Sequence, residues 1–343
     1  MDEKNETISY LSHCKICGND NLKKVIKLNE QYISATFIKS NLKSDLKKIK
    51  TPLTLLLCVD KNGTKACGHL QLHEIINPDL LYTNYFYRSA TSDTMRKDLK
   101  DVTDSVVKIV KPNAEDIVVD TGSNDCTLLN FYTLGLRLVG FEPAKNIKYI
   151  DEGKNIKVIP NYFNAKNFKD NFNKKAKIVT SCAMFYDLEN PKSFVKDIEE
   201  ILDDEGIWCV QISYLLLMIK NMNFYDICHE HLSYHSIKSF ENLIKQFKLK
   251  IFNAEINEVN GGSIRLYVCK ENCEKYNSKN FFENLKKLRE EENAYKLEDE
   301  NTFFNFQEKI YLLKNKTNSY INKVIQQNKI VFALGASTKG NIL

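Results

Sequence analysis

Between Ile117 and Leu129 the chain reads IVVDTGSNDCTLL. A run of β-branched apolar residues ends in an acid, Asp120. It gives way to the polar turn Thr121-Gly122-Ser123-Asn124-Asp125 and then to an apolar segment suited to a helix. Strand, glycine turn and helix start, in that order, make a nucleotide pocket at the carboxyl end of the first strand of an open α/β sheet. A second apolar run, LRLVGFE, ends in Glu142, about 20 residues beyond the turn, where such folds place an acid on ribose hydroxyls. IKVIP, KAKIVTSCAMFYDL and GIWCVQISYL predict further strands, and between the last two Phe194, Val195, Ile198 and Ile201 fall at helical spacing. This alternation predicts a mostly parallel sheet covered by helices on both faces. EINEV and IRLYV, joined through Asn260-Gly261-Gly262-Ser263, predict an antiparallel edge pair. Ser278 to Gln327 is charged and helical, and KIVFALGASTKGNIL predicts a fresh strand-loop-helix unit.

The glycine turn holds only Gly122, so the G-x-G-x-x-G spacing of a dinucleotide site is absent. An acid before the glycine and a second acid after the next strand point instead to S-adenosylmethionine, and hence to a methyltransferase. Asp120, Gly122, Ser123, Asn124, Glu142 and Pro143 are the expected cofactor residues, with Ala183 and Met184 from the loop after KIVTS. Asp125 suits a helix cap. Cys126 stands where many methyltransferases have a third small residue, usually glycine. Gly335 to Asn341 lacks the Lys-Ser/Thr of a P-loop, which excludes nucleoside triphosphatase chemistry by that motif.

With 343 residues the chain is long enough for two or three domains and a substantial core. No run approaches the ~18 apolar residues that span a bilayer, and MDEKNETIS lacks the basic-then-apolar pattern of a secretory signal. The expectation is a cytoplasmic protein without a membrane partner. A net charge of +5, with acids and lysines interspersed, describes a solvated surface rather than a nucleic-acid interface. Ten cysteines in such a chain suggest a metal site plus buried thiols. Cys14-Lys15-Ile16-Cys17-Gly18 is a C-x-x-C-G turn, and Cys58 and Cys67 are the candidates to complete a tetrahedron, although the inserted DKNGTK makes their separation long. His13, His69 and His73 could substitute for a cysteine. Four protein ligands leave no open position, so the expected Zn²⁺ is structural.

Two further stretches carry chemistry. LLYTNYFYRSATSDTM crowds Tyr82, Tyr85, Phe86 and Tyr87 ahead of Arg88, and its polar turn can cap a helix running through Met95 and Leu99. Cys228-His229-Glu230-His231-Leu232-Ser233-Tyr234-His235 gathers three of the six histidines. His229 and His231 would diverge by about 200° on a helix, which disfavours a metal site there. The alternative is an imidazole base oriented by a neighbouring carboxylate. Arg265 is a candidate phosphate contact, a surface arginine being the plainer reading.

CKICG with Cys58 and Cys67-Gly68, YRSATSDTM, VVDTGSNDCTLL, GFEPA, HEHLSY, NGGSIRLYV and VFALGASTKGN together resemble the nucleotide-sugar C-methyltransferases that act on C-3 of dTDP-4-keto-dideoxysugars. The resemblance spans nearly the whole chain. It implies an α/β, Rossmann-like class I S-adenosylmethionine-dependent methyltransferase with a small zinc-binding domain over residues 1–80, a catalytic domain over 81–270, and a helical segment with the start of an incomplete carboxyl-terminal α/β domain over 271–343. It implies His231 as the base that removes the proton alpha to the keto group, Glu230 as its support, and Tyr87 or Tyr85 as an active-site tyrosine; His229, flanking Glu230, is a further candidate site residue from the segment itself. A nucleotide-sugar is the implied substrate. Two positions depart from the family pattern: Cys228 replaces a tyrosine, and Asp187 stands where the family has a histidine. O-methylation and non-catalytic binding of S-adenosylmethionine or a nucleotide-sugar are the competing readings.

Overall fold

The computed structural model describes residues 7–34, 49–61, 65–133, 135–332, 340 and 342. In chain order the elements are β1 (Ile8–Tyr10), β2 (Leu22–Tyr32), β3 (Lys50–Cys58), β4 (Leu70–Leu72), β5 (Glu74–Ile76), α1 (Pro78–Tyr82), α2 (Asp93–Val110), β6 (Ile117–Thr121), α3 (Thr127–Asn130), β7 (Arg137–Phe141) and β8 (Lys157–Ile159). They continue as α4 (Ala165–Lys169), β9 (Ala176–Cys182), α5 (Pro191–Ile201), β10 (Leu202–Ser213), α6 (Leu215–Lys220), β11 (Ser233–Tyr234), α7 (Ile237–Ile244), β12 (Leu249–Asn257), β13 (Ser263–Lys270), α8 (Lys279–Tyr295) and α9 (Glu300–Gln326).

A seven-stranded sheet in the order β12-β13-β10-β9-β6-β7-β8 forms the centre. The strands from β10 to β8 pair in parallel, and β13 runs antiparallel to both its neighbours. β6 sits between β9 and β7, so the chain order reverses there and leaves a crevice at the carboxyl ends of those strands. One reversed strand slotted beside five parallel ones is the class I methyltransferase fold that the sequence predicted. β6 is buried along its whole length, as expected of a strand covered on both faces. β10 shows why two cores form. Trp208 and Val210 face a layer with Phe185, Phe194 and Phe240, whereas Ile207 and Cys209 face Val102, Val106 and Tyr132. Ser92 caps α2 by accepting from Met95 N, within the polar turn that suggested a cap. Among the described residues no helix is long and apolar enough to cross a membrane.

The amino-terminal part is a second, four-stranded sheet in the order β11-β4-β3-β2. Its edge strand, Ser233–Tyr234, comes from the segment directly after His231, with Ser233 opposite Gln71 and Tyr234 opposite Leu70. The sheet is therefore not closed within residues 1–80. From the far end of the chain, α9 lies on β2, where the Gln307 side chain accepts from Lys27 N and the Tyr311 hydroxyl donates to Lys27 O at 3.0 Å.

Three expectations change. The helix after the glycine turn is a single turn, Thr127–Asn130. The hairpin is right, yet only β12 is an edge, because β13 inserts between it and β10. Lys329–Phe332 are irregular rather than the start of a strand, and most of the glycine loop beyond them lies outside the described residues.

Candidate active site and metal centre

The turn after β6 is shaped by backbone conformations that alternate in sign. Gly122, Asn124 and Cys126 have φ of 76°, 51° and 68°. Glycine is easiest at such angles, which explains why a small residue is wanted at position 126. Gly122 N and Ser123 N both donate to Phe141 O at 2.9 Å, tying the turn to the end of β7. A Cβ on Gly122 would stand 3.3 Å from Met184 Cγ, so glycine also keeps room beside the loop after β9. The N-cap position falls to Cys126, which makes no side-chain cap bond, and Asp125 stands one residue outside it, with Oδ1 accepting from Thr127 N at 3.2 Å.

Glu142 follows β7 directly. Its two oxygens accept from Asn124 N and Ala144 N at 2.8 Å each, which fixes the carboxylate while leaving lone pairs for a ligand. Burial raises its pKa, and the two backbone donors oppose that rise. Asp120 sits behind the turn, fully desolvated, with Oδ1 accepting from Thr180 Oγ1 at 2.6 Å. Burial pushes its pKa to about 7, against the pull of Thr180 and with help from the charge of Glu142. A raised folded-state pKa means that Asp120 stabilises the fold below the ordinary carboxylate range and loses that contribution as pH rises through about 7.

Part of the turn and Glu142 border a cavity of about 500 Å³. Gly122, Asn124, Glu142, Pro143, Ala183 and Met184 line it, together with Tyr82, Tyr85, Tyr87 and Asp187. Asp120 and Ser123 do not; they hold the turn from behind. Asn124 links the two groups, since its Oδ1 accepts from Ser89 N at 3.0 Å and its Nδ2 donates to Tyr87 O at 3.2 Å. Sequence reasoning missed Gln211, which also lines the cavity. It donates through Nε2 to Asp98 Oδ2 and accepts from Arg265 Nε at 3.0 Å. An amide amid the apolar run of β10 was the available signal.

The histidine segment is placed differently from expectation. His229, Glu230 and His231 are not among the residues lining the cavity. His229 is buried against the amino-terminal part: Ser34 N donates to its Nδ1 at 3.3 Å, and Nε2 lies 3.4 Å from Thr51 O. Burial lowers its pKa to about 4, so it is a neutral bridge between distant segments rather than a site base. His231 packs its ring 4.4 Å from that of Tyr186, the neighbour of Asp187. Its Nδ1 lies 2.8 Å from Asp226 O. A carbonyl accepts only, so Nδ1 carries the proton and Nε2 is the basic nitrogen. Glu230 is buried. Arg265 is no phosphate contact. It is buried in β13 and faces Asp98, Asp101 and Glu255 at 3.6, 2.9 and 3.8 Å.

The sulfur atoms of Cys14, Cys17, Cys58 and Cys67 all lie within 4.8 Å of one another. Cys14 and Cys67 are 3.4 Å apart, Cys17 and Cys58 3.5 Å. Bonds of about 2.3 Å in a tetrahedron put sulfurs about 3.8 Å apart, so the cluster is dimensioned for Zn²⁺. Gly18, at φ 77°, turns the knuckle. His69 bonds Ser233 Oγ at 3.2 Å and His13 bonds Ser12 Oγ at 2.9 Å, while His73 pairs with Glu74, so the four thiols form the ligand set. Lys15, inside the knuckle, reaches the cavity loop by donating from Nζ to Leu188 O at 3.3 Å.

Strand order, glycine turn, acid and thiolate cluster together define a class I S-adenosylmethionine-dependent methyltransferase fold joined to a structural zinc domain. Residues 14–82 match the family model described as "putative zinc binding domain", and residues 258–343 match that of the C-methyltransferase C-terminal domain, which starts ahead of position 271. The chain is 24% identical over 265 residues to C-methyltransferase NovU of Streptomyces niveus, a match covering 76% of this chain and 61% of that relative's length. Among solved structures, an S-adenosylmethionine-dependent methyltransferase of Clostridium acetobutylicum aligns with a TM-score of 0.41 at 12% identity, over 53% of this chain and 93% of that one. The cyclopropane synthase MmaA2 of Mycobacterium tuberculosis aligns with a TM-score of 0.40 at 10% identity, over 57% and 91%. The resemblance to C-methyltransferases is thus carried by the carboxyl-terminal family model and by the relative at 24% identity.

Proposed function

We propose that this protein methylates a carbon atom of a nucleotide-linked keto-sugar, using S-adenosylmethionine. The observation that carries the reading is the cavity itself. It opens at the strand-order reversal, has Glu142 and the glycine turn on its border, and is walled by the phenols of Tyr82, Tyr85 and Tyr87 and the carboxyl group of Asp187. The likeness to a C-methyltransferase supports carbon as the acceptor. The donor supplies an electrophilic methyl on a sulfonium. Glu142 holds the ribose hydroxyls, Gly122 lets the backbone approach, and Asn124 joins the turn to Tyr87. His231 is the base: its Nδ1–H is fixed by Asp226, so Nε2 takes the proton alpha to the carbonyl.

Incubation with S-adenosylmethionine and candidate keto-sugars should give S-adenosylhomocysteine and a product heavier by one CH₂. NMR should place the new methyl on carbon; a methyl ether would move the reading to O-methylation. His231→Ala should reduce turnover about 10²- to 10⁴-fold, and unchanged turnover would remove it as the base. Because His229, Glu230 and His231 stand off the cavity wall, binding without catalysis is the second reading, favoured by calorimetric binding of S-adenosylmethionine with no turnover on any keto-sugar. Glu142→Gln should weaken S-adenosylmethionine about ten- to a hundredfold through the lost charged acceptor. Unaltered affinity with an unaltered melting temperature would place the ribose elsewhere.

A further inference from the structure

Two buried polar atoms on the cavity wall, Asp187 Oδ1 and the Tyr82 hydroxyl, find no hydrogen-bond partner of normal geometry among the described residues, although the two side chains lie near enough for Tyr82 to act on Asp187 as a donor. Both residues line the cavity, Tyr82 from the end of α1 and Asp187 from the turn after β9. Native proteins seldom leave buried polar atoms unsatisfied, and when they do a ligand is a common reason. We propose that Asp187 and Tyr82 are the two donors that hold the substrate's carbonyl oxygen while it takes up negative charge. This deepens the C-methylation reading and rests on it.

The surroundings set Asp187's state. Glu230 and Cys228 face it from the histidine segment, Tyr82 and Tyr85 from α1 and the loop after it, Tyr186 from its own turn and Tyr234 from β11. The neighbouring ammonium, Lys15, is directed to Leu188 O and to the charge of Glu189. Burial raises the carboxyl pKa well above its ordinary range, Glu230 raises it further, and Tyr82 opposes. Burial thus favours the protonated form of Asp187, in which the carboxyl group can donate a hydrogen bond, as carboxylic acids in apolar sites do. Tyr82, whose own pKa is raised by burial, stays a donor as well.

The electron count closes. The base takes the proton alpha to the carbonyl. The C–H pair becomes the enolate double bond and the carbonyl pair moves to oxygen. Asp187 and Tyr82 donate hydrogen bonds to that oxygen without releasing their protons. The carbonyl re-forms as the carbon bonds to the methyl group, the S–CH₃ pair stays on sulfur, and the proton passes from base to solvent.

The test compares Asp187→Ala, Asp187→Asn and Tyr82→Phe with the native chain, by turnover, by calorimetry with S-adenosylmethionine, and by exchange of the alpha hydrogen of the keto-sugar in D₂O. Asp187→Ala should lower kcat about 10²- to 10³-fold, the usual effect of one oxyanion donor, with unchanged S-adenosylmethionine affinity and slowed exchange. Asp187→Asn, which keeps a neutral donor, should recover most of that loss. Native kcat should fall as pH rises through the Asp187 pKa, and the Asn variant should lack that fall. Asn as inactive as Ala, an unchanged kcat in both, or a persisting alkaline fall in Asn would each overturn the proposal. If Asp187→Ala does not fold, the Asn and Phe variants decide it: Tyr82→Phe should slow exchange, and a native rate counts against the pair. A native chain that neither methylates nor exchanges any keto-sugar defeats the underlying reading and this inference with it, a result distinct from a failure confined to the variants.

Discussion

Removing zinc from the four-cysteine cluster with a chelator is expected to melt the amino-terminal sheet and loosen the cavity loop along with it. The cluster pins the turn at 14–18 to the end of β3 and to Cys67, segments far apart in sequence. Structural zinc contributes on the order of 10 kcal/mol to such a domain, more than most domains have to spare. The loss should spread. Lys15 N donates to the Gln71 side chain at 3.0 Å and Lys15 Nζ to Leu188 O, so an unfastened knuckle releases both β4 and the loop holding Asp187. Hydrogen exchange should show lost protection over 50–58 and 70–72 and faster exchange at 185–190, reversed by added zinc. Full protection after chelation would show that the apolar core alone holds this part. Cys58→Ser should reproduce the effect without a chelator.

Trp208→Ala is expected to cost about 3–5 kcal/mol, the range for large buried aromatics. The indole is fully buried, with ring centroids of Phe185, Phe240 and Phe194 at 5.5, 5.8 and 6.2 Å. Its Nε1 donates to Ser181 Oγ at 2.9 Å, and that hydroxyl lies 2.7 Å from Thr121 Oγ1, directly before Gly122. The substitution therefore opens a void and removes a tether beneath the glycine turn. Urea titration should move the midpoint down at constant m-value. A shift worth less than about 1 kcal/mol would mean that Phe185 and Phe240 collapse into the space.

The central sheet was legible because its strands are buried on both faces and so read as apolar runs, two of them leading into the acids Asp120 and Glu142. The C-x-x-C-G turn marked the zinc cluster despite the long Cys58–Cys67 separation, and Ser92 caps α2 from within the polar turn that suggested a cap. What escaped depends on distant partners. His229 looked catalytic beside His231, yet Ser34 and Thr51 engage it from far back in the chain. Arg265 looked exposed because nothing local shows that Asp98 and Asp101 on α2 receive it. Asp187 stood out only as a departure from a pattern; its unsatisfied oxygen appears once Tyr82 and the histidine segment close around it.

One consequence lies in the short strand after His231. Because Ser233–Tyr234 completes a sheet begun more than half the chain earlier, with His69 and Ser233 in contact across 164 positions, the zinc module is not a cassette that can be cut out or transplanted. Expressed alone it would bare the backbone edge of Leu70–Leu72, an invitation to intermolecular pairing. During synthesis the same edge stays open until the later segment leaves the ribosome, so this lobe matures late although it is made first.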